Sequence, residues 1–82
     1  MINILFFAKY REQFGRPSVE LTASGLSSVA RLIADLQSHF PATTGFLDDQ
    51  NMLIAVNQEI ATPSTPIGSG DEVAFFPSVT GG

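Results

Sequence analysis

Alternation of apolar and polar positions marks both ends of this chain. From Ile2 to Ala8 the residues read as a strand, with Ile2, Ile4 and Phe6 on one face and Asn3, Leu5 and Phe7 on the other. Both faces carry apolar groups, so the strand is either covered on both sides or keeps Phe7 for a partner. Ser18 to Thr22 reads as a short antiparallel return, with Val19 and Leu21 on one face and Glu20 on the other. Residues 9–17 between them are polar and hold Gly15 and Pro17, which reads as a hairpin loop. Near the other end, Glu72 to Phe76 sets Val73 and Phe75 against Ala74 and Phe76.

The period changes in the middle. Val29, Leu32, Ile33, Leu36 and Phe40 recur at helical spacing, with Arg31, Asp35 and Gln37 off the stripe. Ser27 is the expected N-cap. Pro41 ends the helix, because the residue before a proline is pushed out of the α region. Residues 42–51 form a connection with room for one turn around Phe46-Leu47. Met52 to Val56 is continuously apolar and reads as a central strand buried on both faces. Asn57-Gln58 is a turn, since Asn tolerates positive φ, and Glu59 to Ala61 is long enough only for an edge strand. Residues 62–70 hold Pro63, Pro66, Gly68 and Gly70 and are loop, closing with a tight Gly68–Asp71 turn.

The order is hairpin, helix, two or three strands and a tail. One helix must cover one face of a small mixed sheet, which makes an α+β domain. The simplest arrangement sets the first and last strands side by side in the middle, as in a β-grasp (ubiquitin-like) roll. The expected division is a domain over residues 1–76 and an extended tail over residues 77–82.

Composition narrows the function more than the fold. An 82-residue chain has a small core, and without cysteine it has no disulfide and no thiolate metal site. Four Lys+Arg against eight Asp+Glu argue against nucleic acid and against an anionic membrane surface. No apolar run reaches membrane-spanning length and no basic leader precedes the first strand, so a cytoplasmic location is expected. His39, the one histidine, reads as a solvated helix-terminal residue, and Asp48-Asp49 as a solvated loop pair. No Ser/His/Asp or Cys/His set exists, and Gly68-Ser69-Gly70 lacks the spacing of a phosphate loop. Self-contained catalysis is therefore not expected, which leaves a carrier, a modifier or a binding module.

That conclusion turns attention to Phe75-Phe76-Pro77-Ser78-Val79-Thr80-Gly81-Gly82. Pro77 has no N–H to donate and is expected to stop the strand ladder. Extended, residues 77–82 span roughly 20 Å. With no Cβ on Gly81 or Gly82, a Gly82 carboxylate would sit on a filament one backbone wide, able to thread a channel into another active site. Alternation also leaves Phe7, Ile60 and Phe76 as an expected apolar partner patch.

Leu5-Phe6-Phe7-Ala8 with Arg11-Glu12, Ala55-Val56-Asn57-Gln58, Gly70-Asp71-Glu72-Val73-Ala74-Phe75-Phe76-Pro77 and Val79-Thr80-Gly81-Gly82 resemble the small, sulfur-carrier subunits of molybdopterin synthase. Ser78 stands where that family usually has a second proline, which makes the root of the tail less stiff. The resemblance implies a β-grasp fold, no permanently bound cofactor and no catalysis by the chain alone. It implies that an E1-like enzyme uses ATP to adenylate the Gly82 carboxylate, and that a sulfur donor converts it to a thiocarboxylate. The tail, with Pro77, Val79 and Thr80 against the partner and Gly81 giving access, then enters the large catalytic subunit of a heterotetramer. There the sulfur passes to precursor Z. A ubiquitin-like modifier joined to lysines through Gly82, a thiazole-pathway sulfur carrier and a plain binding module are the alternatives.

Overall fold

The computed structural model describes residues 1–22, 25, 27–47 and 51–78. Five strands form one mixed sheet: β1 (Ile2–Phe6), β2 (Ser18–Leu21), β3 (Met52–Val56), β4 (Glu59–Ala61) and β5 (Glu72–Pro77). Their order across the sheet is β2-β1-β5-β3-β4, so the first and last strands lie side by side, in parallel, at its centre. The other neighbours are antiparallel. The main helix, α2 (Val29–His39), buries Val29, Leu32 and Leu36 in one core with Ile2, Ile4, Phe6, Val19, Leu21, Ile54, Val73 and Phe75. The inward sets expected of β1, β2 and β5 are the ones buried. Period-two alternation makes each choice all-or-none: a one-residue slip would turn every Ile and Phe of β1 outward.

Several local readings are corrected. Residues 9–17 are not only a loop, because Lys9–Phe14 forms a short helix, α1. Its reason is tertiary. Tyr10 is fully buried, and Phe14 meets Phe6 at 4.8 Å and Phe40 at 5.5 Å between ring centroids. Tyr10 and Phe14 are four residues apart, so a helical turn puts both on one face. Gly15 ends α1 at φ 85°, its N–H donating to the Arg11 carbonyl, a left-handed C-cap suited to glycine. β1 stops at Phe6 rather than Ala8 for the same reason: Ala8 already caps α1.

The cap of α2 is Ser28, not Ser27. Ser28 Oγ accepts from the Arg31 N–H at 3.3 Å. The Val29 and Ala30 N–H groups donate to the carbonyls of Thr65 and Pro63, so the loop after β4 finishes capping the helix. α2 ends before Pro41 as expected, with Phe40 as its C-cap, and a 3-10 turn (Pro41–Thr43) leads into a one-turn helix, α3 (Thr44–Leu47). β3 lies fourth in the sheet and is not covered on both faces, for Leu53 and Ala55 point to the side opposite α2.

β5 includes Pro77, paired with Met52, so the ladder runs one residue further than expected. The Phe75 carbonyl accepts from the Phe7 N–H on the β1 side. Backbone groups of residues two apart point the same way, so the Pro77 nitrogen faces the β1 side too, where β1 has already ended. No ladder bond is lost there.

Candidate functional site

The sheet face opposite α2 has no covering element among the described residues. Strand register organises it into rows. Ser18, Leu5, Ala74, Ala55 and Ile60 line up across all five strands. One step toward the Pro77 end come Phe76 and Leu53, with Phe7 just beyond β1. Phe7 is 44% exposed and Ile60 is 74% exposed, while Phe76 is half-buried. Phe7 and Phe76 stack edge to face, their centroids 6.2 Å apart. With Ala8 and Pro77 they line an apolar cleft, and Leu5, Ala55, Ala74 and Ile60 extend the surface across the sheet. Large apolar groups gathered on one open face are what a partner surface offers.

Of the expected site residues, then, Phe7, Phe76 and Pro77 come together, and Ile60 lies on the same face at the edge strand. Val79, Thr80, Gly81 and Gly82 lie outside the described residues, as do Asp48 and Asp49. Ala8 was not among the expected residues. It borders the cleft at φ 53°, ψ −130°, a backbone region that disfavours any side chain. Alanine carries no sequence signal for such strain, and only the sharp passage from β1 into α1 reveals it.

A polar clamp holds the far end of this face. Asn57 and Gln58 both have positive φ, 51° and 71°, the geometry of a tight hairpin turn between β3 and β4. Asn57 Nδ2 donates to Asp71 Oδ1 at 3.0 Å, and Asn57 Oδ1 accepts from the Glu72 N–H at 3.0 Å. Asp71 Oδ2 accepts from the Gly68 N–H at 2.8 Å. The Asn57 amide, and then the Gly68 N–H, favour the carboxylate and hold Asp71 below the ordinary 3.8. Gly70, at φ 91°, donates its N–H to the Met1 carbonyl and ties the start of β1 to the same turn. His39 is exposed at the end of α2, Nδ1 3.0 Å from the Asp35 carbonyl oxygen. Among the described residues no three His, Asp or Glu side chains converge on a point that could hold a metal ion. No described helix is long and apolar enough to cross a membrane.

Known proteins share this whole chain. It is 40% identical to the molybdopterin synthase sulfur carrier subunit of Escherichia coli over 82 residues, covering all of both chains. It is 39% identical to the subunit of the same name from Mycobacterium tuberculosis, over 99% of this chain and 96% of that one. The crystal structure of SAMP1 from Haloferax volcanii superposes with a TM-score of 0.81 at 27% identity, covering 99% of this chain and 98% of that one. That likeness bears out the β-grasp, ubiquitin-like roll. The ThiS family model matches residues 4–82, from the middle of β1 through the final Gly-Gly. With its fold, its length and its sequence all pointing one way, the chain belongs to the ThiS family.

Proposed function

We propose that this chain is the sulfur-carrier subunit of a molybdopterin synthase, with the sulfur held as a thiocarboxylate on Gly82. The observation that carries the reading is full-length similarity to subunits of that name, joined to an open apolar face whose aromatic end lies at Pro77. Docking surface and tail root are thus neighbours. A partner that grips Phe7 and Phe76 receives residues 77–82 beside its grip. The large catalytic subunit is the proposed occupant of this face. Phe7, Ile60, Phe76 and Pro77 make the body contacts; Val79 and Thr80 line the tail's path.

The chemistry comes from the partners. An E1-like enzyme joins the Gly82 carboxylate to the AMP portion of ATP and releases pyrophosphate. The acyl adenylate has a good leaving group where the carboxylate had a poor one. Sulfur delivered by the donor at the sulfide level attacks the acyl carbon, AMP leaves, and a thiocarboxylate remains. Its sulfur is a better nucleophile than a carboxylate oxygen. In the large subunit it adds to an electrophilic carbon of precursor Z, and water then cleaves the acyl–sulfur bond, leaving the sulfur on precursor Z and a carboxylate on Gly82. The carrier atom replaces a terminal oxygen, so a chain without cysteine can still carry sulfur.

The test is intact mass spectrometry of the chain with activating enzyme, ATP and sulfur donor. The C-terminal fragment should gain the difference between sulfur and oxygen and lose it on reaction with precursor Z. One observation favours a second reading, a protein modifier: a structural relative is described as small archaeal modifier protein 1. An isopeptide bond from Gly82 to a lysine, in place of the sulfur gain, would decide for it.

A further inference from the structure

The open face is charged unevenly along its strands. Asn3 points to this face, with Glu20 beside it on β2 and Glu72 beside it on β5. At ~4.8 Å per strand the two glutamate Cα atoms stand about 10 Å apart. Glu20 is exposed and Glu72 half-buried, and among the described residues neither carboxylate has an ion-pair or side-chain hydrogen-bond partner. The next row runs from Ser18 to Ile60 and is apolar from Leu5 onward. The aromatic end at Phe7 is about 13 Å from Asn3, four residues along the chain. Two basic residues, Lys9 and Arg11 on α1, lie toward that end; Arg16, just before β2, turns its guanidinium over the Phe14 and Phe40 rings on the α2 side. Glu12 is the acid among them.

We propose that Glu20 and Glu72 orient the large subunit on this face, by receiving basic side chains on the partner surface opposite the Asn3 row. The inference rests on the docking reading above. Apolar contact alone is non-directional, and the row of Leu5, Ala74, Ala55 and Ile60 carries no charge to tell a partner from the same partner turned end for end. The acidic row removes that ambiguity. A partner with its basic groups at the Asn3 end places its tail channel at the Pro77 end; the reversed pose meets Lys9 and Arg11 with like charge. A second copy of this chain, set antiparallel, would match the charges as well, but it would cover the Pro77 end of both chains.

The experiment measures association of the full chain with the large subunit from the same organism, across a range of salt concentrations. Three variants are compared with wild type: Glu20→Lys/Glu72→Lys, Asp35→Lys/Glu59→Lys with the same charge change off this face, since Glu59 lies opposite Val56 on the α2 side of the sheet, and Phe76→Asp. Circular dichroism checks folding, and Glu20→Lys alone stands in if the double variant does not fold. The face variant should associate about tenfold more slowly at low salt and lose the wild-type decline of rate with salt, while the off-face variant keeps that decline. Equal behaviour of the two double variants would overturn the proposal. Wild-type binding by Phe76→Asp would instead remove the face itself as the docking site. Self-association of the wild-type chain that the face variant breaks would give the acidic row to a second copy and also overturn it.

Discussion

The Phe7 and Phe76 rings meet edge to face at 86°, from neighbouring parallel strands, at the end of the sheet where both strands finish. Each ring follows a buried phenylalanine, Phe6 and Phe75, whose rings stack on the other side at 6.0 Å. The same four residues therefore build the core and the surface patch, and the pleat decides which ring does which.

Phe76→Asp should leave the domain folded, since the ring lies outside the core, and should weaken binding of the large subunit by at least ~2 kcal/mol, roughly 30-fold in Kd. Calorimetry of the folded variant checks this. Wild-type affinity would remove the patch from the interface.

Deleting Gly82, or adding one residue after it, should leave large-subunit binding near normal while synthase activity collapses. Either change moves the carboxyl carbon by roughly 3.5 Å, a misplacement that costs large factors in rate. Gly81→Val should slow adenylation more than it affects stability, because a branched side chain crowds the acyl carbon. Single-turnover assays beside binding measurements separate the two effects. Normal turnover by an untrimmed, extended chain would mean that Gly82 is not the carrier.

Ala8→Gly should stabilise the fold by about 1 kcal/mol, raising Tm by about 5 °C, because glycine adopts the Ala8 backbone without strain. Thermal melts of the two proteins test it, and a lower Tm for the glycine variant would show that the alanine conformation is not strained.

The Asp71 clamp predicts a pH dependence of known sign. Its carboxylate is held below 3.8 in the folded chain, so the stabilisation is fully present above that value. It is lost as pH falls through the lowered folded-state value. Asp71→Asn should therefore be less stable than wild type at pH 7, and the gap should narrow below 3.8. Denaturant titrations at pH 7 and in strong acid measure the gap. A gap that does not change with pH would assign the clamp to packing rather than to the charge.

Much of this protein is legible one short window at a time. Alternation in Ile2–Phe6 and Val73–Phe76 fixes which side chains enter the core, because the strand period is a property of the local backbone. The stripe from Val29 to Leu36 does the same for α2, Asn57 marks its hairpin, and Pro41 closes the helix. The outward position of Phe7, Phe76 and Ile60 follows from the same alternation, so the candidate face was visible in outline. What sequence could not decide was settled by neighbours far along the chain. Gly15 and Pro17 made residues 9–17 look like loop, yet burial of Tyr10 and the meeting of Phe14 with Phe6 and Phe40 hold six of them in a helix. Ser27 and Ser28 are equal as caps in sequence; the carbonyls of the loop at Pro63 and Thr65 select Ser28 by taking the next two N–H groups. Pro77 joins the ladder because β1 ends before it, leaving no carbonyl there that needs its missing N–H. The rows that set Glu20 and Glu72 beside Asn3 exist only once three strands distant in sequence are in register. Pairing, unlike alternation, is a property of the assembled sheet.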